Sequence, residues 1–215
     1  RPKVIFNGIV PPSGNKRLSK QKLRLIHGLP SSGHVAVMSA CNFKDTNKGL
    51  VHGIKALSLL PQRIRSSLIV LCIGRPPAKN FDYPEGITFR WSGYIEDRAH
   101  LGSLISAADF MVYPSLADNQ PLAVIESLAC GTPVFAFETG GIPEIIGTGG
   151  GRVAKWKDSQ QLADLITESI DNNSLGELGV LARDRAETHF SRARMTKEYM
   201  SLYEKMISRG DSPST

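Results

Sequence analysis

The sequence predicts an α/β fold, a parallel sheet with helices packed on both faces, and three features predict it. Strand-like and helix-like stretches alternate through most of the chain. Leu68 to Ile73 is an unbroken apolar run closed by Gly74, the pattern of a parallel strand buried on both faces. Phe110-Met111-Val112-Tyr113 leads through Pro114 and Ser115 into a polar loop, a short helix and a second strand from Val134 to Phe137. That is a complete βαβ unit.

From the start, Val4-Ile5-Phe6 reads as a strand, Asn7-Gly8 as a turn and Pro11 to Asn15 as a connection. Residues 1–15 are therefore expected to be a linker, 16–208 the domain and 209–215 a disordered tail. Ser19 caps a short helix that ends at Gly28 and Pro30. His34 to Ala40 is the first full strand, followed by a polar loop from Cys41 to Gly49 and a helix from about Leu50 to Leu60. After the Leu68–Ile73 strand and a Pro-rich loop, Ile87 to Trp91 forms another strand, ending at Gly93-Tyr94-Ile95. A helix from about Asp97 to Ala108 places Leu101, Leu104, Ile105 and Ala108 on one face.

Beyond the βαβ unit, Glu138 to Glu144 is a Gly-rich turn into a short helix, and Gly149-Gly150-Gly151 leads to a short strand, Arg152–Trp156. The tail is helical. Leu162, Leu165, Ile166 and Ile170 mark one helix and Leu175 to His189 a second. Met195, Tyr199, Leu202, Tyr203 and Met206 mark a third, whose stripe reads as core-facing unless a partner domain is missing.

Composition excludes several classes. No apolar run approaches the roughly 20 residues of a membrane span. No signal peptide is visible, and the first residue is Arg1, which leaves room for an upstream start. Cys41, Cys72 and Cys130 lack metal spacing and sit in or beside apolar runs, so they are expected to be buried free thiols in a reducing cytoplasm. The net charge of +6 is uneven: no acid precedes Asp45, whereas eight Lys or Arg do. The basic block of Lys16, Arg17, Lys20, Lys22 and Arg24 reads as a solvated helix at a domain edge, with an anionic membrane surface as the sharper alternative. Without aromatic interleaving or an RNA-binding motif, it does not point to nucleic acid.

The chemistry gathers where the short helix begins. Pro121 suits a first helical turn, and Leu122, Ile125, Leu128 and Ala129 follow at helical spacing to a stop at Gly131 and Pro133. The N–H groups of Leu122 and Ala123 have no intrahelical partner there and suit a phosphate. Asp118 lies in the preceding loop. Glu126 lies about five residues into the helix, roughly 7–8 Å along its axis. A carboxylate accepts two parallel hydrogen bonds, which matches a vicinal diol. One acid near a diphosphate and another a ribose-length away is a layout for a sugar nucleotide. Lys48, Gly74, Tyr94, Asp118 and Gly140 all follow predicted strands, the edge of such a sheet where ligands lie.

Asp118-x7-Glu126, followed by S-L-A-C-G-T-P-V and T-G-G-I-P-E, resembles the family-4 retaining glycosyltransferases of GT-B fold. Their signature is Glu-x7-Glu in the C-terminal, Rossmann-like donor-binding domain. Here Asp118 stands at the first Glu position, one methylene shorter, and Glu126 at the second. The opening phrase resembles the V-I-x-N-G-V linker between the two GT-B domains, which implies that the N-terminal domain is absent from this chain. Lys48 matches the family lysine that holds the donor diphosphate. The matching arginine position holds Asn42 or Phe43, with Lys44 the nearest substitute cation.

By the same resemblance Gly74 borders the cleft, and Tyr94 and Ile95 receive the base, mainly through backbone groups. The Gly140 turn lies near the donor sugar or shapes the cleft floor. Arg98 reads as an exposed first-turn side chain, with the base or phosphates within its reach. The implied activity moves a sugar from a UDP-, GDP- or ADP-sugar to a glycan or lipid hydroxyl, in polysaccharide or glycolipid biosynthesis. It uses no metal or cofactor, with Asp118 and Lys48 in catalytic roles. The implied location is the cytoplasm, peripherally at the inner membrane face, and the chain alone is expected to be inactive. Two alternatives stay open: a stand-alone sugar-nucleotide binding module or regulatory subunit, and, more weakly, a sugar-nucleotide epimerase.

Overall fold

Six parallel strands form one sheet in the order β3-β2-β1-β4-β5-β6 in the computed structural model, which describes residues 3–11, 18–77 and 82–210. The strands are β1 (His34–Asn42), β2 (Leu68–Arg75), β3 (Thr88–Gly93), β4 (Phe110–Tyr113), β5 (Val134–Phe137) and β6 (Gly151–Ala154). The helices are α1 (Lys20–Ile26), α2 (Leu50–Ser58), α3 (Gln62–Arg65), α4 (Arg98–Ala107), α5 (Leu122–Ala129), α6 (Ile142–Ile146), α7 (Ser159–Asp171), α8 (Leu175–His189) and α9 (Arg192–Gly210). Strand order grows outward in both directions from β1 and β4, so the crevice between their C-terminal ends is the switch point of a doubly wound, Rossmann-like sheet.

Alternation along the strands divides the core in two. Val35, Val37, Ile69 and Leu71 point to the face covered by α1, α4, α5, α6 and α8. Ala36, Met38, Val70 and Cys72 point to the face covered by α2, α3 and α7. The S-L-A-C-G-T-P phrase is largely structural. The buried Ser127 Oγ donates to the Thr132 carbonyl at 2.8 Å, and Thr132 Oγ1 donates to the Ile105 carbonyl at 2.8 Å. Those bonds fix the end of α5 against α4, and with it the depth at which Glu126 sits.

Four expectations are corrected. Val4–Phe6 is not a strand; among the described residues the segment pairs in β fashion at one parallel bridge, Ile9 with Ser191, and is otherwise held by contacts such as the Phe6 carbonyl accepting from Arg194 Nη2 at 2.7 Å. The basic helix is not simply solvated: Arg24 is buried and pairs with Asp109, as does Lys20 at 3.1 Å. The Asp109 carboxylate also accepts from Val35 N–H at 2.9 Å, so this charge ties α1 to the sheet. Cys72 and Cys130 are buried, but Cys41 is exposed, beside a register irregularity between Ser39 and Asn42 at the end of β1. The α9 stripe is not core: Tyr199, Tyr203 and Met206 are exposed, and Met195 and Leu202 are only half-buried.

The expected connection at 12–15, Lys16, Arg17 and the terminal 211–215 lie outside the described residues. Among the described residues no helix is long and apolar enough to cross a membrane.

Candidate functional site

The C-terminal edge at the switch point is made of three loops stitched together. After β1, Asp45 caps a 3-10 turn, Thr46–Lys48, by accepting from Asn47 N–H at 2.9 Å. After β4, Ser115 Oγ and Leu116 N–H both donate to the Asn47 carbonyl, at 3.0 and 2.7 Å. After β5, Gly141 N–H donates to the Asn119 carbonyl at 2.9 Å, and Thr139 Oγ1 to the Leu116 carbonyl at 3.1 Å. Gly140 has φ +48, and a Cβ there would lie 1.8 Å from the Asp118 carbonyl oxygen. Only glycine lets the β5 turn press so closely on the Asp118 loop.

This stitching brings Lys48 and Asp118 together across 70 positions of sequence. Lys48 Nζ lies 2.9 Å from Asp118 Oδ2, and the Tyr113 hydroxyl donates to the same oxygen at 2.8 Å. Burial, together with the Asp118 charge, holds the Tyr113 phenol above its ordinary range, so it stays protonated and keeps donating. Tyr113 reads from sequence only as a strand residue. Its hydroxyl fixes the shorter Asp118 side chain beside Lys48.

A cavity of about 270 Å³ opens at the C-terminal ends of β1 and β2. Gly74, Tyr94, Ile95, Leu122, Ala123 and Glu126 line it together with Ser39, Ala40 and Cys41 from the end of β1. Gly74 has φ +138, and a Cβ there would fall 1.7 Å from the Ala40 carbonyl oxygen, so this glycine lets β2 close on β1 at the cavity floor. Pro121 is the N-cap of α5 and brings no side-chain cap. Among the described residues, the Leu122 and Ala123 N–H groups have no acceptor. They stand as free donors at the positive end of the helix dipole. The nearby Gln120 Nε2 is also buried without a partner.

Lys48 and Asp118 are not among the residues that line this cavity. Lys44 is placed elsewhere: it lines a separate, mostly apolar cavity of about 550 Å³ with Phe43, Leu50, Val51 and Leu116. Among the described residues no group of three His, Cys, Asp or Glu is arranged to hold a metal ion.

Glu126 is held by a residue that sequence reasoning left outside the site. Arg98 Nη2, from the first turn of α4, lies 3.0 Å from Glu126 Oε1. The Glu126 side chain is 12% exposed and that of Arg98 55%. Burial pushes the Glu126 carboxyl above the usual carboxylate range, and the Arg98 charge and hydrogen bond pull partly against it. Asp97 caps α4 by accepting from Ala99 N–H at 2.8 Å, which sets where Arg98 starts. Charge at residue 98 was the available signal; its partner 28 positions away was not.

The doubly wound sheet and the loops at its switch point define a Rossmann-like α/β domain of the type that takes its ligand at the strand ends. Comparison with known proteins narrows the class. The family described as glycosyl transferases group 1 matches residues 20–185, and the chain belongs to that family.

The MMP alpha-(1->4)-mannosyltransferase of Mycolicibacterium hassiacum is 31% identical over 112 residues, 51% of this chain and 27% of that protein. The alpha-maltose-1-phosphate synthase of Mycobacterium tuberculosis is 29% identical over 183 residues, 74% of this chain and 45% of that protein. The chain thus spans less than half the length of either relative. Among solved structures, HepE of Anabaena in complex with UDP superposes with a TM-score of 0.75 at 21% identity, over 94% of this chain and 57% of that one. The shared fold is the GT-B glycosyltransferase one.

Proposed function

We propose that this chain is the donor-binding, C-terminal half of a retaining glycosyltransferase, which moves a sugar from a nucleotide diphosphate sugar to a hydroxyl of a glycan or glycolipid. The observation that carries the reading is the cavity at the switch point, with unpaired helix N–H donors at Leu122 and Ala123 and the acid Glu126 among its lining residues. In this reading the base enters between Gly74 and the Tyr94-Ile95 turn. The ribose diol donates to Glu126, and the diphosphate lies at the start of α5.

Lys48 and the helix N-terminus then face the leaving group. As the bond between the anomeric carbon and the phosphate oxygen breaks, its electron pair stays on the diphosphate, the acceptor hydroxyl oxygen takes the vacated bond, and the hydroxyl proton passes to the departing diphosphate. Fixed positive charge at that point lowers the barrier because it requires no reorganisation. Asp118, held by Tyr113 and Lys48, contacts donor-sugar hydroxyls or the phosphate edge. Lys44 contributes only if the loop carrying it moves, since it borders the other cavity. The leaving-group charge is met by these groups without a metal, and acceptor contacts fall to a second domain.

UDP is the first ligand to test, because HepE binds UDP and UDP-glucose. Calorimetric titration with UDP, GDP and ADP, then with their sugars, is expected to show one nucleotide binding stoichiometrically. Absence of binding by all of them refutes the reading. A turnover assay on these 215 residues is expected to show no sugar transfer.

A further inference from the structure

We propose that Arg98 is a positioning residue of the donor site, whose guanidinium holds one oxygen of Glu126 so that the carboxylate stays ionised with its second oxygen left for the ribose. The inference rests on the donor-site reading above and extends it to a residue that reading does not need.

Arg98 and Glu126 sit on different helices, α4 and α5, and both line the 270 Å³ cavity. With Leu122 they also line a second cavity of about 590 Å³, bounded by Asn7 to Pro11, Arg192 and Met195. The ion pair is therefore a partition between two cavities, open to water on the arginine side and shielded on the glutamate side. Only Oε1 of Glu126 is engaged; among the described residues Oε2 has no partner. Arg98 Nη2 also reaches the Val10 carbonyl at 3.5 Å, which keeps the guanidinium from following the carboxylate into the cavity.

The electrostatics agree. A carboxylate shielded to this degree tends to take up a proton, and a protonated Glu126 loses one of the acceptor positions a diol requires. The cation alongside is what opposes that tendency. The other titratable side chains lining the two cavities are Cys41, Tyr94, Glu96 and Arg192. None of them is bonded to Glu126. Arg98 is the group in contact that favours its ionisation.

The test compares wild type with Arg98→Met and Arg98→Lys. The Glu126 carboxyl is followed by carbon NMR with Glu126→Gln to assign it, and UDP-glucose affinity is measured from pH 8 to pH 5.5. A sugar nucleotide is used because its diphosphate, esterified at both ends, does not titrate in that window.

In Arg98→Met the Glu126 carboxyl is expected to titrate at higher pH than in wild type, and Arg98→Lys to bring it back. Affinity in Arg98→Met is expected to fall with acidification by a further factor on the order of ten relative to wild type. An unshifted Glu126 in a protein that binds UDP-glucose overturns the role of Arg98 alone. So does an affinity loss equal at every pH, which marks direct contact of Arg98 with the nucleotide. A wild type that binds none of UDP-glucose, GDP-mannose and ADP-glucose, while Glu126 still shifts in Arg98→Met, overturns the donor-site reading and the positioning role with it.

Discussion

Glu126→Gln separates binding from stability at one position. Gln keeps the shape of Glu but is a weaker acceptor, so the ribose loses a charge-assisted hydrogen bond at a mostly shielded side chain. Losing such a bond costs about 1–3 kcal/mol, or roughly a 5- to 150-fold rise in Kd. Stability moves the other way. The folded protein raises the proton affinity of Glu126 above that of the unfolded chain. The stabilisation this provides is fully present below the unfolded-state pKa and is lost as pH rises through the folded-state value. At pH 7 the ionised carboxylate is thus a net burden on the fold, and Gln removes it.

Arg98, half in water, loses little when its partner is neutral. The substitution is expected to weaken UDP binding in calorimetry while leaving urea unfolding at pH 7 unchanged or shifted to higher midpoint, with a flatter dependence between pH 4 and 7. Unchanged affinity refutes the ribose role. A marked loss of stability at pH 7 refutes the claim that Glu126 is kept at the expense of the fold.

Two further outcomes follow from the same structure. Asp109→Ala leaves the buried Arg24 guanidinium without its carboxylate and Val35 N–H without an acceptor, and is expected to cost about 3–5 kcal/mol, read as a drop in the urea midpoint. Cys41 is exposed and lines the cavity, whereas Cys72 is buried, with its thiol pushed up to about 12 by burial, and Cys130 is buried too. A thiol reagent is therefore expected to modify Cys41 rapidly and the other two slowly, as mass spectrometry of digests would show, and the bound nucleotide is expected to slow that labelling.

Much of the fold is legible in the residues because its signals are local. The apolar runs of β2, β4 and β5 are bounded by Gly, Pro or Asp, and α8 matches its expected span, Leu175–His189. The helix α3 escaped because four residues after Pro61 are too few to show a period. Val4–Phe6 has strand composition, but strand structure needs a neighbouring strand, and among the described residues of this segment Ile9 alone forms a bridge.

At the site, position along the strand ends was readable, since every βα loop of a parallel sheet arrives at the same edge. Six expected residues do line one cavity. What could not be read was which side chains meet there. Arg98 with Glu126, Lys48 with Asp118 and Arg24 with Asp109 are pairings between segments far apart in the chain, set by tertiary packing. Lys44 shows the converse: four positions from Lys48 in sequence, it lines a different cavity from the expected site residues.

The account depends on where a nucleotide comes to rest. A crystal structure of this chain with UDP is predicted to show the ribose hydroxyls on Glu126, the uracil against the Tyr94-Ile95 backbone, and the β-phosphate within hydrogen-bond distance of the Leu122 and Ala123 N–H groups. A nucleotide bound elsewhere, or an α5 N-terminus closed off by other side chains when UDP is present, contradicts it.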